Sequence, residues 1–284
     1  MHQFLPVMKH AVLSIFLWLL LIPGVLSAQP FGEEPTTREM NLINWKEFAA
    51  FVPEKIETVL LPTGTLEPHG VLPNGSDNLA PEAMAREIAD EVNAMIAPVL
   101  PYGVTGSLKG YPGAFAISES AYRAFIADLF KGLAENGFKN IIILNGHGGP
   151  QTAILRSEMD KASEKYRVRM LLINWWSLAS EDTYAVFGEN GGHAGNNETA
   201  YIQAIVPTHV HPEWYTPDMA TPYPAGTSWA AFPFPSSIGL YEPGQGYPTF
   251  NPEQARAYYE RVNKRVASFI QEIIRKWDAA GLYR

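Results

Sequence analysis

The sequence predicts an α/β fold with three layers, in which a mainly parallel sheet lies between helices. Three observations predict it. After residue 42, short apolar runs alternate with longer amphipathic segments, which is the order typical of a parallel sheet. Two of these runs, 58–61 and 139–144, end in turns rich in glycine and polar residues. About 256 residues follow an N-terminal apolar segment, enough for one domain with a large core.

The first strand is predicted over residues 58–61. A helix over 79–95 follows, predicted from apolar residues at spacings of three and four: Met84, Ile88, Val92 and Met95. The N-cap of this helix would come from one of three adjacent polar residues: Ser76, Asp77 and Asn78. A short second strand is predicted over 98–102.

Ser118 caps the next predicted helix, which has Glu119 in its first turn and Gly137 just past its end. The buried strand over 139–144 follows it. Beyond that strand, a helix is predicted over 151–166, a strand over 168–175 and a helix over 197–206. This repetition predicts right-handed crossovers and helices on both faces of the sheet.

The pattern changes over residues 207–252, which hold ten prolines and nine aromatic residues. That density of proline excludes a long helix. Two interpretations have equal weight: a surface excursion packed by its own rings, or an aromatic lid or subunit contact near the functional site. An amphipathic helix over 253–280, packed across the sheet, ends the chain.

The N-terminus has the three parts of a secretory signal peptide: Lys9, an apolar run over 11–26, and small residues at Ser27-Ala28. We therefore expect a signal peptide over 1–28, a linker over 29–41 and one domain over 42–284. An uncleaved membrane anchor is the alternative. Cleavage is favoured because Pro23-Gly24 breaks the run and no basic cluster follows. The absence of cysteine excludes lipid attachment at that residue and disulfides, which fits export to a bacterial periplasm.

The chain is acidic, with 21 Lys and Arg against 29 Asp and Glu and a formal net charge of −8. Removing Lys9 with the signal changes the net charge to −9. Nucleic acid is excluded as a partner, since phosphate binding needs a basic face. No membrane association is expected after signal cleavage.

The first candidate functional residues follow the end of the first predicted strand. Glu67 and His69 lie one residue apart on an extended segment, so both side chains can face the same side. Asp77 follows after a turn-rich connector. An Asp before a helix is usually a cap, and for Asp77 alone that interpretation is favoured. Oxygen and imidazole ligands suit Zn²⁺, Mn²⁺ or Fe²⁺, so the group as a whole predicts a metal site.

Two later segments add residues of the same type. His147 follows the strand over 139–144, and glycines on both sides clear space for a metal or a ligand. The segment 192–199 supplies His193 and Glu198. Three of the five histidines outside the signal therefore lie in these segments, which favours ligands over scattered core histidines.

Together the three segments resemble the creatininase family of metal-dependent amidohydrolases. Its members carry an E-x-H-G turn with a nearby Asp, an N-G-H-G-G turn and an H-A-G-x-x-E-T segment. Here these are 67–70 with Asp77, 145–149 and 193–199. One motif alone is a weak signal, but three in the right order are strong. The resemblance runs from about residue 43 to the C-terminal helix.

The resemblance implies two divalent metal ions per chain, with Asp77 bridging them. It assigns Glu67 and His147 to one ion, and His69 and Glu198 to the other.

His193 would then be a catalytic residue that donates a proton to the leaving nitrogen or contacts the developing oxyanion. The alternative is a loop histidine that caps the helix beginning near Asn197.

Three departures from the family pattern bear on the substrate. The span from Glu67 to Asp77 is one residue shorter than usual and lacks a second histidine. Gly149 stands where members that act on creatinine carry a glutamate ligand. Ala114 replaces the threonine of a loop that often borders the substrate. Gly149 therefore argues against creatinine itself.

The sequence thus predicts a secreted metal-dependent hydrolase of a C–N bond in a cyclic or other small amide. Alternatives are the same site acting as a peptidase or on an oxidised cyclic sugar, a non-catalytic periplasmic small-molecule binding protein, or an assembly subunit. Metal content discriminates the enzyme from the last two. Because the family is often hexameric, a homo-oligomer is expected.

Overall fold

The structure, a computed structural model, describes residue 1, residues 31–223 and residues 228–283. Apart from Met1, the signal peptide predicted over 1–28 lies outside the described residues. Within the described part of the chain, no helix has both the length and the apolar character needed to cross a bilayer.

The helices and strands alternate along the chain, as the sequence predicted. In chain order they are α1 (Trp45–Phe51), β1 (Thr58–Thr63), α2 (Ser76–Ile88), β2 (Ala94–Ile96), α3 (Glu119–Glu135), β3 (Asn140–Asn145), α4 (Gly149–Tyr166), β4 (Arg169–Asn174), α5 (Trp175–Leu178), α6 (Ser180–Phe187), β5 (Gly192–His193), α7 (Asn196–Ile205), β6 (Ala220–Pro222), β7 (Ile238–Leu240) and α8 (Pro252–Ala279).

The central sheet has four parallel strands in the order β2-β1-β3-β4. β1 and β3 pair along their whole length, from Thr58 opposite Asn140 to Thr63 opposite Asn145. Both strands therefore end at the same level, and the segments that follow them leave the sheet side by side. Ligands bind at this edge in open parallel sheets.

Helices cover both faces of the sheet, which confirms the predicted three layers. Along β1, Leu60 faces α2, α7 and α8, whereas Val59 and Leu61 face α1, α3 and α4. Ile142 and Ile143 divide β3 between the two layers in the same way. Because these side chains are fully buried, replacing one with alanine would cost roughly 2–5 kcal/mol of unfolding free energy.

A second, smaller sheet lies beside the first, in the order β5-β7-β6. β6 and β7 come from the proline-rich segment, and β7 pairs antiparallel with β5. Three single 3₁₀ turns in this segment each begin at a proline: Pro207, Pro212 and Pro217. The expectation that proline excludes a long helix from this segment is confirmed among its described residues.

Two predicted boundaries are wrong. The helix predicted over 79–95 ends at Ile88, and residues 94–96 form β2. Asn93, the last residue before β2, has a φ of 47°, which is not helical. Met95 continues the helical spacing of apolar residues, but it belongs to β2, where its side chain is buried. The strand predicted over 98–102 is therefore displaced to 94–96.

Short elements were missed or left as linker. α1 and α6 are too short for a clear periodic signal. At the N-terminal side, the Ile96 amide donates to the Arg38 carbonyl and the Met40 amide to the Ile96 carbonyl. Part of the segment expected to be a linker therefore pairs with the edge strand β2.

Candidate metal centre

The predicted ligands come together at the carboxyl end of the sheet. Glu67 and His69 follow β1, His147 follows β3, and Asp77 lies in the first turn of α2. All four side chains are buried. This is the level at which β1 and β3 end, so the register of the sheet brings the segments together.

Two glycines let the start of α2 approach both strand ends. A Cβ on Gly64 would lie 2.2 Å from the Asp77 carbonyl oxygen, and one on Gly146 would lie 1.9 Å from the same atom. No side chain fits at either position. Asp77 therefore lies against the turns that carry the other ligands, and the shortened connector does not hold it away from them.

Asp77 is not an N-cap. The N-cap residue of α2 is Gly75, and no side chain caps the helix. The Asp77 carboxylate instead faces two histidines, with Oδ1 2.8 Å from His69 Nε2 and Oδ2 2.9 Å from His147 Nδ1. One carboxylate oxygen of Asp77 therefore faces His69 and the other faces His147, so Asp77 lies between the two histidines.

A second carboxylate lies on each of these sides. Glu67 Oε1 is 3.2 Å from His147 Nδ1. Glu198 Oε2 is 3.7 Å from His69 Nε2, and it also accepts a hydrogen bond from the Ala194 amide at 2.7 Å. That bond holds Glu198 in the first turn of α7, facing the centre.

Main-chain carbonyls fix the ring orientation of three histidines. His69 Nδ1 donates to the Glu67 carbonyl at 3.0 Å, and His147 Nε2 donates to the Val104 carbonyl at 3.1 Å. His193, in β5, donates from Nε2 to the Pro68 carbonyl at 2.7 Å. Each ring therefore turns its other nitrogen toward the carboxylates, which is the arrangement found in metal-binding histidines.

The carboxylates of the centre favour the protonated form of His69 and His147. Burial disfavours protonated His69, but Asp77 outweighs that effect and raises the pKa of His69 to about 10. The pKa of His147 is raised for the same reason, with Glu67 and Asp77 opposing burial. Burial also raises the pKa of Asp77, but the two histidines outweigh it and the net direction is down.

Two other groups shift in the direction that burial dictates. Burial raises the pKa of Glu198 to about 7, although His69 opposes the shift. For His193, burial and the neighbouring His69 lower the pKa to about 4. His193 is therefore neutral near pH 7, with an uncharged Nδ1 that faces Glu67 Oε1 at 3.6 Å.

The donor set fits divalent metal ions. Two donors that each lie about 2.1 Å from one ion can be at most about 4.2 Å apart. The distances from His147 to Asp77 and Glu67 satisfy this limit, and so do those from His69 to Asp77 and Glu198. Nitrogen and carboxylate donors in this mixture suit Zn²⁺, Mn²⁺ and Fe²⁺.

His193 also lies within ligand distance. Ligand atoms of Glu67, His69 and His193 all lie within 4.8 Å of one another, as do those of Glu67, Asp77 and His147. The rings of His69 and His193 are 4.2 Å apart. His193 Nδ1 can thus accept a proton or bind an ion, and its predicted catalytic role stays a prediction.

A buried polar network behind His147 was not predicted. Asn145 donates to the His147 carbonyl, and its own oxygen accepts from Gln151 Nε2 at 3.2 Å. Gln151 Oε1 accepts from the Val104 amide at 3.2 Å, next to the carbonyl that holds His147. Only Asn145, as the first residue of the N-G-H-G-G turn, could have been singled out from the sequence.

The centre opens into a cavity of about 520 Å³. Tyr223 and Tyr241 from the proline-rich segment line it, and so does Trp176. Gly149 also lines the cavity, with a φ of 57° and no atom within 4 Å of a Cβ built on it. The sequence placed aromatic residues near the site as one of two interpretations but did not identify these three.

His209 and His211 belong elsewhere. They line a separate groove with Trp214, against which His211 stacks at a ring distance of 4.0 Å. Neither lines the cavity at the metal centre.

The sequence of the described domain matches a known family. The model of the creatininase family, described as creatinine amidohydrolase, matches residues 41–270. The chain belongs to the creatininase family. The resemblance inferred from the three segments is therefore confirmed.

Relatives in the family carry different names. The chain is 27% identical over 170 residues to a 3-dehydro-scyllo-inosose hydrolase of Thermotoga maritima, covering 57% of this chain and 54% of that protein. It is 24% identical over 184 residues to a creatinine amidohydrolase of Pseudomonas putida, covering 58% and 70%. A mycofactocin precursor peptide peptidase of Mycolicibacterium smegmatis is 28% identical over 162 residues, covering 55% and 60%. The chain thus spans little more than half the length of the first of these relatives.

Solved creatininase structures have the same fold. A creatinine amidohydrolase structure matches with a TM-score of 0.71 at 21% identity, over 84% of this chain and 98% of that one. A creatininase variant of Zn-Zn type matches with a TM-score of 0.70 at 22% identity, over 83% and 98%. These matches confirm the three-layer α/β/α architecture.

Proposed function

We propose that this chain is a metal-dependent hydrolase of a C–N bond in a cyclic or other small amide. The observation that carries the proposal is the placement of Asp77, whose two oxygens each face a histidine, and each of these histidines also faces a second carboxylate. Membership of a family of amidohydrolases supports the reaction class.

Two divalent ions per chain would be held by five residues. Glu67 and His147 would complete the coordination of one ion, and His69 and Glu198 that of the other, with Asp77 bridging both. The ring orientations set by main-chain carbonyls support this division, because His69 Nε2 and His147 Nδ1 face opposite oxygens of Asp77.

Divalent ions held there would make a water molecule nucleophilic at neutral pH and would polarise the substrate carbonyl. The side chains of the protein supply the rest. His193 is neutral and fixed through Pro68, so its Nδ1 can take up a proton and return it to the leaving nitrogen.

Metal analysis of matched variants tests the proposal. Asp77→Ala should lose both ions, because it removes a donor from each side, whereas His69→Ala should weaken mainly one. Asp160→Ala, which removes an exposed carboxylate on α4, should keep both. At most one ion per chain after saturation of the wild type with Zn²⁺ and Mn²⁺, or equal loss in both variants, would contradict the assignment.

Turnover is measured on the same preparations with lactams, formamides and short peptides, scoring released amine. Release of amine from lactams or formamides supports the proposed substrate class. Release from peptides alone would make the chain a peptidase. Ring opening of an oxidised cyclic sugar frees no amine, so a separate assay for that product tests whether the chain acts on a different bond. Full metal content with no turnover of any probe would favour a binding protein.

Export to the periplasm and homo-oligomer formation are parts of the same proposal. The apolar N-terminal segment supports export, since it ends in the small residues Ser27-Ala28. N-terminal sequencing of protein from the cell envelope should find a chain beginning near residue 28 or 29. Sedimentation at micromolar concentration should find more than one chain per particle, and a hexamer is the specific expectation.

A further inference from the structure

The proline-rich segment forms part of the wall of the cavity at the metal centre. Two tyrosines lie side by side in this part of the wall. Tyr223 follows β6 and Tyr241 follows β7, and the Tyr223 amide donates to the Leu240 carbonyl at 2.8 Å. Their rings lie 6.2 Å apart at an interplanar angle of 28°. Both line the same cavity as the proposed metal ligands Glu67, Asp77 and Glu198.

Packing fixes the ring of Tyr223. It lies close to the main chain of β7, where a Cβ on Gly239 would be 2.6 Å from the ring. It also stacks on Phe234 at 5.4 Å, and Phe234 stacks on Trp229 at 5.7 Å. Tyr223 packs into the space that Gly239 leaves by having no Cβ, and neighbouring rings pack against it. Its side chain therefore has little freedom to move away from the cavity.

The hydroxyls of Tyr223 and Tyr241 have no hydrogen-bond partner among the described residues. This differs from other tyrosines whose hydroxyls bond within the protein: Tyr111, Tyr201, Tyr258 and Tyr259. An unpaired hydroxyl on a cavity wall is available to a ligand, and leaving it unpaired when the ligand removes water costs binding energy.

Two other polar side chains of the wall, Thr152 and Asn174, make hydrogen bonds within the protein. The Thr152 hydroxyl donates to the His147 carbonyl, and the Asn174 side-chain oxygen accepts from Asn145. None of the residues that line this cavity is Lys or Arg. Neutral phenol donors therefore line the cavity together with the proposed metal ligands.

We propose that Tyr223 and Tyr241 determine substrate specificity by donating hydrogen bonds to a substrate oxygen other than the carbonyl oxygen of the scissile bond. The substrate class is then a small cyclic amide with a second carbonyl or hydroxyl oxygen, rather than one with a hydrocarbon edge there. The inference rests on the proposed amide hydrolysis, which it makes more specific.

The test pairs a change in the ligand with a change in the wall. Succinimide and 2-pyrrolidinone are five-membered cyclic amides that differ in one carbonyl. Their affinities for the metal-loaded full chain are measured by calorimetry, for the wild type, Tyr223→Phe and Tyr241→Phe. Each substitution keeps the ring and removes only the hydroxyl, so the stack and the fold are retained.

At least one hydroxyl deletion should weaken succinimide binding by about 3- to 10-fold, the range for one hydrogen bond. Binding of 2-pyrrolidinone should stay within about twofold. Tyr184→Phe, at an exposed tyrosine of α6, is the matched control and should change neither. Equal weakening of both ligands, no weakening in either variant, or no binding of either ligand would overturn the proposal.

Turnover of both probes separates this inference from the proposed function. Hydrolysis that does not depend on either hydroxyl keeps the function and overturns the tyrosine assignment. Binding that depends on a hydroxyl, without any hydrolysis, supports the assignment and contradicts amide hydrolysis.

Discussion

His193 differs from the other two histidines of the centre in the direction of its pKa shift. His69 and His147 each face carboxylates on both sides, which raises their pKa values. His193 is buried beside His69, and its pKa is lowered to about 4. A neutral imidazole with one nitrogen fixed on Pro68 is suited to transfer a proton between a water and a leaving group.

We expect His193→Ala to keep both ions and to lower kcat by roughly 10²–10⁴, the range for losing a general acid or base. The expected change in KM is smaller, because the metal ligands remain. The measurement is a metal count and a turnover assay on one preparation. His209→Ala, an exposed histidine in the separate groove, is the control.

Loss of metal from His193→Ala to the same extent as from Glu67→Ala would make His193 a ligand. The 3.6 Å distance from His193 Nδ1 to Glu67 Oε1 makes that outcome physically accessible. The proton donor would then have to be another group that lines the cavity.

The residues of the centre were predictable, but their geometry was not. Glu67, His69 and His147 stand in motifs next to apolar strands, so type and spacing identified them. The role of Asp77 could not be decided locally, since an aspartate before a helix is usually a cap. The contact of Gly64 and Gly146 with the Asp77 main chain joins three distant segments, and no short pattern records it.

At the scale of elements, prediction succeeded where periodicity and boundary signals agreed. β1, β3 and α3 have apolar runs or spacings bounded by caps and glycines, and Ser118 accepts from the Ala121 amide as expected. The predicted end of α2 was wrong because Met95 continues the helical spacing of apolar residues but lies in β2. Tyr223 and Tyr241 were missed because they lie in a segment without a period.

The small sheet couples the aromatic wall to His193. β5 holds His193, and it pairs with β7, which in turn pairs with β6. The contact is close at Gly192, where a Cβ would lie 2.3 Å from the Gly239 carbonyl oxygen and 2.9 Å from Leu240 Cα. A side chain at this position must separate the two strands.

We therefore expect Gly192→Ala to lower kcat/KM by at least about tenfold while both ions stay bound. The physical reason is displacement of His193 and Tyr223, since misplacement of catalytic groups by about 1 Å can cost about 100-fold. Gly132→Ala, in α3 with no atom within 4 Å of its Cβ, should be neutral or stabilising. Wild-type kcat/KM in Gly192→Ala would show that this pairing does not position the site.

At the scale of the whole molecule, the centre joins the layers of the fold. Its ligands come from both sides of the sheet edge: β1 and β3 turns, α2, and the β5–α7 segment. Two buried carboxylates, Glu67 and Asp77, lie at the centre with the partly buried Glu198, and such charges are costly unless they are paired. Ions bound to the folded chain should therefore stabilise the fold as well as the site.

Metal removal should consequently lower the melting temperature. A ligand present at 100 times its Kd stabilises the native state by about 2.7 kcal/mol per site, so two sites give about 5 kcal/mol. At about 2–4 °C per kcal/mol for a domain of this size, chelation should lower Tm by roughly 10–20 °C. The measurement is calorimetry of the metal-loaded chain with and without chelator, and Asp77→Ala provides the control. That variant lacks the bridging donor, so the chelator should shift its Tm by less than about 3 °C. An equal shift in both proteins would place the stabilising ions outside this centre.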